Sequence, residues 1–465
     1  MPHPHGPHEH EHEHDHHPDG SHPGDAPRPL RRSTVGPEGI LTPDVDGRAL
    51  PGTWTRGFDF HVLDRAPLTA SRERQAHDAA DLLLLDTLAG WVADGRDPGP
   101  VAVLHDQHGA VTLPLLAAGL DVALGVDEAS AARSTAANLD RFRDEAGALP
   151  PGWGRLRIGG VDETVLAGAR TVLILLPRAL DALHLTAARV ARLAAPDVLV
   201  LAAGRDKHMS PAMNEVLARS FTHVLAGRGR AKSRVLTAAG PRPGVAEPEP
   251  RRRVHRITGV GEVTLVGGWA TFGGAAADPG SVLLARTLAE HSPALPVPAA
   301  RRMRTDSGLE VQVPFRPVPG APDVVDAGSG NGLLAVVAAR VWPPARVLAS
   351  DQSADAVASS AATAAANGLA ERITAVQDDA LSTLADGSVP VVLLNPPFHD
   401  GAAVDPSVGH RMIEAAGRVL APGGQLWCVW NSHLRHRPVL EAAVGPTRQV
   451  ARNRTFTVTV STRRP

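Results

Sequence analysis

From about residue 56 onward, short apolar runs alternate with longer amphipathic or Ala-rich stretches. In the first half the runs are Val101–Leu104, Val122–Val126, Thr171–Leu176 and Val198–Ala202. A helix is predicted over Arg72–Asp94, through Ala-Ala-Asp-Leu-Leu-Leu-Leu-Asp-Thr-Leu. In the second half the strand candidates are Asp323–Asp326, Val347–Ser350, Ile373–Gln377, Val391–Leu394, Gly424–Trp430 and Thr455–Ser461, with helices between them. A run that is apolar on both faces belongs to a strand covered on both sides. Strands alternating with helices therefore predict an α/β fold with mainly parallel sheets.

The rhythm stops and restarts. Residues 241–252 are rich in proline, which ends helices and sheet ladders, and predict a linker between a domain at 56–240 and one at 253–465. The two halves also resemble each other. The segment around Gly109 matches that around Gly332, Asp127 matches Asp351, Pro177 matches Pro397 and Pro196 matches Pro422, at offsets of 223, 224, 220 and 226 residues. Four matches in order at nearly constant offset imply a duplicated domain.

Composition narrows the class. Hydrophobic residues are 43% and charged residues 21%, which suffices for two ordinary cores. The net charge of −2 means that a nucleic-acid partner must be held by local clusters of arginine and lysine. One such run is Arg228, Arg230, Lys232 and Arg234. The single cysteine, Cys428, excludes an intramolecular disulfide and predicts a small core residue in a reducing, cytoplasmic setting. No apolar stretch suits a signal peptide or a membrane span. Residues 1–55 predict a disordered His- and Pro-rich tail; nine histidines fall within residues 1–25, and such a tract can bind metal loosely. No metal is expected at the main site.

The chemistry sits in the second half. Asp326 ends its first strand, and Gly328, Gly330 and Gly332 follow in a tight turn before a helix. Glycines let backbone pass close under a ligand where a Cβ collides. The spacing is Gly-x-Gly-x-Gly, not the dinucleotide-phosphate pattern. Alone, such a turn also serves structure only. Asp351 closes the second strand, and a carboxylate there accepts both hydroxyls of a ribose. Asp378, Asp379 and Ala380 follow the third, where an acid and a backbone N–H can read adenine. Acids in series at successive strand ends outline a nucleoside, since ligands of open α/β sheets bind beyond the carboxyl ends of the strands.

Asn395-Pro396-Pro397-Phe398 ends the fourth strand and is the most specific local signal. Two prolines stop the ladder and fix the turn. The Asn395 side-chain oxygen and the Pro396 carbonyl are both acceptors and suit an –NH2 on a planar ring or amide. Phe398 can stack on a flat base, and His399 follows as a loop residue of undecided role.

These residues resemble the class I S-adenosylmethionine-dependent methyltransferases. Within them the chain is similar to the bacterial ribosomal RNA (guanine-N2)-methyltransferases with tandem methyltransferase-like domains. The resemblance covers about residues 56–465 and rests on Asp326-Ala-Gly-Ser-Gly-Asn-Gly332, Asn395-Pro-Pro-Phe-His-Asp400, Asp278-Pro-Gly280-Ser281 and Trp430-Asn-Ser-His433. It implies two Rossmann-like domains, a degenerate RNA-binding one at 56–240 and a catalytic one at 253–465. It implies S-adenosylmethionine as cofactor, bound by Asp326, the three glycines, Asp351, Asp378, Asp379 and Ala380. It implies methylation of a guanine N2 amine in ribosomal RNA, free or in a subunit precursor, with Asn395, Pro396, Pro397 and Phe398 as catalytic residues. The tail and segments such as Gly204-Arg-Asp-Lys-His-Met favour the large-subunit type. Degeneracy of the first half fits Val103 in place of Asp326, His105 and Gln107 in place of glycines, and Leu175 in place of Asn395. The Pro- and Arg-rich stretch 291–321 is longer than the pattern requires. Methylation of a protein glutamine or a DNA adenine, or a non-enzymatic RNA-binding role, are the alternatives. The duplicated domain argues against the first two and the intact acids and Asn395 against the third.

Overall fold

A computed structural model describes residues 54–65, 75–292, 294–298, 301–304, 307–313, 315, 320–397, 406–434 and 436–464. The His-rich tail, Phe398, His399 and parts of the 291–321 stretch lie outside these residues. The described residues belong to one compact unit, Val45–Pro465.

The first sheet has seven strands: β1 (Val101–Leu104), β2 (Val122–Gly125), β3 (Arg157–Gly159), β4 (Thr171–Leu175), β5 (Leu199–Arg205), β6 (Phe221–Ala226) and β7 (Ser233–Pro241). Two hairpins follow, β8 (Arg251–Ile257) with β9 (Gly261–Gly267), and β10 (Arg301–Arg304) with β11 (Glu310–Val313). The second large sheet holds β12 (Val324–Ala327), β13 (Val347–Asp351), β14 (Ile373–Gln377), β15 (Val389–Leu394), β16 (Leu420–Asn431), β17 (Thr447–Arg452) and β18 (Phe456–Thr462).

The two sheets repeat one topology. The orders are β3-β2-β1-β4-β5-β7-β6 and β14-β13-β12-β15-β16-β18-β17, parallel except at the last two strands. These are two tandem Rossmann-like domains. Each reversal of strand order, at β1/β4 and at β12/β15, leaves a crevice at the carboxyl ends. Strand residues alternate between the two faces of each sheet. In the second, Val324, Val347, Val391, Leu393 and Trp427 pack on one face and Val325, Ala327, Val392, Leu394 and Cys428 on the other, all almost fully buried. Each such aliphatic side chain contributes roughly 1.5–3 kcal/mol by leaving water.

The predicted strands sit within a few residues of the observed ones. The predicted helix at Arg72–Asp94 is observed at Ala79–Ala93, with Asp78 as N-cap and Asp81 completing a capping box. The hairpin β8–β9 is the element least visible in the sequence, because β8 reads Arg-Arg-Arg-Val-His-Arg-Ile. Its inner edge is satisfied by the helix Ala354–Ala366 and the residue that caps it. Ser359, Thr363 and Asn367 recur every fourth residue and accept from the N–H groups of Gly268, Val266 and Thr264 at 2.8, 2.8 and 3.1 Å. A helix face thereby completes a strand edge and leaves β8 outermost.

Candidate active site

Register brings the motif residues together. Ala327 pairs with Ser350 on one side and Leu394 on the other, and Asp351 pairs with Gln377. The residues that follow, Gly328, Asp351, Asn395 and Asp378, thus emerge side by side at the carboxyl edge of four adjacent parallel strands.

The glycine turn is held by its neighbours. Gly328, Gly330 and Gly332 have φ of +70°, +53° and +78°, a region that side-chain-bearing residues avoid. A Cβ on Gly328 would stand 3.1 Å from the Met412 methyl, and one on Gly332 would stand 3.0 Å from Ser360 Cα. The N–H groups of Gly328 and Ser329 donate to the Ser350 carbonyl at 2.8 and 3.0 Å. Both amide hydrogens of Asn331 go to the carbonyls of Gly274 and Ala276, each at 2.9 Å, which ties the turn to the segment after β9.

Asp326 is 1% exposed and accepts from the N–H of Ala335, in the first turn of the helix Leu333–Val341, at 2.8 Å. Burial pushes its carboxyl up to about 7, partly offset by the Ala335 hydrogen bond and reinforced by Asp351. Asp351 accepts from Gly330 N–H at 2.9 Å and from Ser353 N–H at 3.0 Å, and burial raises its carboxyl too. Two acids held against one turn suit donors such as ribose hydroxyls or an ammonium group, which favour the ionised carboxylates.

The third strand end is arranged differently. The Asp378 carboxylate accepts the N–H and hydroxyl groups of Ser382 and Thr383 at 2.5–3.1 Å. Asp379 is 3% exposed and pairs with Arg411 at 2.9 Å and, across the two domains, with Arg133 at 3.2 Å. Both acids therefore have protein partners of their own. Ala380 and Leu381 turn the chain with φ of +54° and +56°.

Asn395 supplies the most telling detail. Its amide nitrogen donates to Asp278 Oδ2 at 2.8 Å and to Ser281 Oγ at 2.9 Å. Asp278 is also the N-cap of the helix Pro279–His291, accepting from Ser281 N–H at 2.8 Å. These contacts fix which way the amide points. The Asn395 oxygen is then buried with no hydrogen-bond partner among the described residues. An orphan buried acceptor is costly unless something arrives to donate to it. Pro396 behind it is buried and Pro397 is exposed. Gly409 packs against Pro396, and His436 stands close by. His436 is 2% exposed; burial, then His410, lowers it to about 4, so it is neutral near pH 7.

Sequence reading missed the roles of Ser281, Asn331, Met412, Arg411 and His436. Asp278-Pro-Gly-Ser281 carried a signal, an N-cap acid followed by a first-turn proline, but not its target 114 residues or more away.

The first domain's crevice is furnished otherwise. Val103 occupies the Asp326 position and Leu175 the Asn395 position, as the shared topology requires. Leu104 pairs with Gly125, so Val126 holds the place of Asp351, and Asp127 falls one residue later. Asp127 instead reaches the second domain, where it accepts from Ser353 Oγ at 2.5 Å and Asp355 N–H at 2.9 Å. Of the basic run, Arg230 is bound to Asp86 and Arg234 pairs with Asp206 at 3.6 Å.

Comparison with known proteins follows this division. The family described as RLMG N-terminal domain matches residues 53–242, and the methyltransferase small domain matches residues 302–460. The chain is 31% identical to a ribosomal RNA large subunit methyltransferase G of Streptomyces avermitilis, over 87% of this chain and 97% of the relative. It is 31% identical to the protein of that name from Pseudomonas aeruginosa strain PAO1, over 86% and 97%. In fold it is similar to the T. thermophilus 16S rRNA N2 methyltransferase solved with AdoMet and guanosine. The TM-score is 0.63 and the identity 22%, over 83% of this chain and 92% of that one.

Proposed function

Because this chain belongs to the ribosomal RNA large subunit methyltransferase G family, we propose that its second domain methylates the exocyclic N2 amine of a guanine in large-subunit ribosomal RNA, with S-adenosylmethionine as donor. The observation that carries this reading is the orphan oxygen of Asn395. Its nitrogen is spoken for by Asp278 and Ser281, so the side chain can only accept. A planar amine, with two N–H donors, answers that acceptor and the neighbouring Pro396 carbonyl together.

The cofactor fits what the chain offers. The glycine turn leaves a cradle that a Cβ would fill or distort. Asp351, which accepts from Gly330 N–H at the turn, is assigned the ribose hydroxyls and Asp326 the amino-acid end. The backbone of Asp379 and Ala380 is placed for the adenine edge, the two carboxylates being engaged elsewhere. When bound, S-adenosylmethionine supplies an electrophilic methyl on a sulfonium. The protein's part is positioning. Asn395 and Pro396 draw the amine's hydrogens to one side, so its lone pair faces the opposite direction. Phe398 is assigned the stacking face. Such alignment accounts for much of a methyl transfer's acceleration without a strong base. The neutral His436 adds no charge near the incoming group.

The decisive experiment maps modified nucleosides by mass spectrometry in large-subunit ribosomal RNA from cells lacking the gene. One N2-methylguanosine should vanish and return with the wild-type gene. It should not return with Asn395→Ala, whose kcat is expected to fall by about 10²–10³-fold while cofactor affinity holds, by analogy with loss of one preorganised hydrogen-bonding group. An unchanged inventory of N2-methylguanosine removes the substrate claim.

A further inference from the structure

The sites above do not use the outer edge of the β8–β9 hairpin. There a cleft of about 700 Å³ opens between Ala179–Asp181 of the first domain and Arg251, Arg252, Arg253 and the segment Gly268–Ala276 of the second. Arg251 is anchored: it pairs with Asp181 at 2.7 Å and lies 5.0 Å over the Trp269 ring, whose N–H donates to the Pro248 carbonyl. Arg252 and Arg253 are exposed and have no acidic partner among the described residues. On the same segment Phe272 is 82% exposed. Phe272 lies outside the cleft lining but between Thr271 and Gly273, which belong to it. An exposed aromatic at the rim of a cleft that holds unneutralised guanidinium groups is the furniture of single-stranded nucleic-acid binding, where phosphates meet arginine and bases stack on rings.

The floor of the cleft is rigid. Ala270 N–H, Thr271 N–H and Thr271 Oγ1 all donate to Asp355, at 3.0, 2.7 and 2.6 Å. It is also continuous with the active site. Gly274 and Ala276 hold Asn331 of the glycine turn, and Asp278, next along the chain, holds Asn395. The basic run at 228–234 offers less, since Arg230 and Arg234 already have acids.

We propose that this cleft docks a single-stranded RNA segment flanking the target guanine, with phosphates on Arg252 and Arg253 and a base on Phe272. The proposal rests on the RNA-methylation reading above for the identity of the strand.

The test uses the full chain, a labelled single-stranded poly(U) RNA and unmethylated large-subunit ribosomal RNA. Arg252→Gln with Arg253→Gln should weaken poly(U) binding about tenfold or more. The slope of log K against log salt should shrink by about 1.4, at about 0.7 for each phosphate that is no longer neutralised. Phe272→Ala should weaken it by about tenfold with the slope unchanged, as loss of one stacked base does. On ribosomal RNA the KM should rise by a similar factor, with kcat and S-adenosylmethionine affinity held, which also certifies folding. A matched change at the exposed Arg448 and Arg452, on the far strand β17, should do nothing. Unchanged affinity and slope in the Arg252/Arg253 variant overturn the proposal, as does an equal loss at Arg448/Arg452. If the wild type binds poly(U) through the cleft yet methylates no ribosomal RNA, the functional reading fails and the docking site stands.

Discussion

The two domains share a strand order but not a crevice. In the second, the turn after β12 is made of glycines, two acids accept from N–H groups in and just after it, and the Asn395 oxygen has no partner among the described residues. In the first, the turn after β1 is filled from within. The Asp106 carboxylate, 1% exposed, accepts from the N–H groups of His108, Gly109, Ala110, Val111 and Thr112 and from the Thr112 hydroxyl. His105, at φ +66°, turns its ring to Thr186, and Val103, Val126 and Leu175 line what remains. A helix N-terminus behind a tight turn presents unsatisfied N–H donors and a positive dipole end in either domain. In the first domain one carboxylate takes five of them; in the second they are shared, Gly330 N–H going to Asp351, Ala335 N–H to Asp326 and those of Gly328 and Ser329 to the Ser350 carbonyl. The fold supplies an anion-seeking turn, and the sequence decides whether one buried carboxylate or several spread groups satisfy it.

The largest effect is expected where that one buried carboxylate is removed. Asp106→Ala leaves six donors without their acceptor. At about 1 kcal/mol each or less once water enters, the first domain should lose about 4–6 kcal/mol, a large part of a domain's stability. Urea unfolding followed by hydrogen exchange in the helix Thr112–Ala117 reads this directly. A loss below about 1 kcal/mol would mean that the carboxylate is not what closes this crevice.

Next in size is the pH effect that Asp326 brings to the second domain. The Asp326 carboxyl stands at about 7 when folded, against 3.8 for the ordinary group. The folded state holds its proton more tightly, so the stabilisation is complete below about pH 4 and is lost as pH rises through about 7. The cofactor-free second domain should therefore weaken by up to about 4 kcal/mol across that window, read as amide exchange in the helix Leu333–Val341 corrected for intrinsic pH dependence. Asp326→Asn should remove Asp326's share of the slope, leaving that of Asp351, and stabilise the cofactor-free protein near neutral pH while weakening cofactor binding. The first domain, with Val103 at this place, should keep its own pH dependence, set by the buried Asp81 and Asp127, unchanged by this substitution.

How much of this the chain discloses depends on the range of the interaction. The buried strands are legible because apolar runs such as Val101–Leu104 and Val391–Leu394 need no partner to be recognised. The glycine turn and Asn395-Pro-Pro are legible because each imposes a local backbone constraint. The Asp278–Asn395 contact spans 117 residues, and nothing local marks Asp278 as more than a helix cap. Asp378 and Asp379 look like ligands in sequence, yet their partners are Ser382, Thr383, Arg411 and Arg133, visible only once folded. The Asp127–Asp351 match is one residue out of register, an error that local similarity invites and strand pairing corrects.

That register difference gives the smallest and sharpest comparison. Asp351 ends the second strand of its domain and Asp127 lies just beyond that of the other, and each carboxyl is raised by burial. Asp351 faces the glycine turn, whereas Asp127 caps the helix Ala354–Ala366 of the other domain. In the proposed function, Asp351→Ala removes the acceptor assigned to two ribose hydroxyls. With charge-assisted bonds near 1.5 kcal/mol each, S-adenosylmethionine affinity should fall by about 100-fold in calorimetry. Asp127→Ala removes a helix cap across the domain junction, worth about 1 kcal/mol of stability, and should change that affinity by no more than about threefold. The reciprocal backbone bonds Ala129 N–H to Gln352 O and Ala354 N–H to Asp127 O, at 2.9 and 3.0 Å, survive the substitution and hold the junction. Equal losses of affinity would mean that the cofactor site is built as much by the first domain as by its own acid. No loss from Asp351→Ala would strip the ribose role from the one residue that most separates the two crevices.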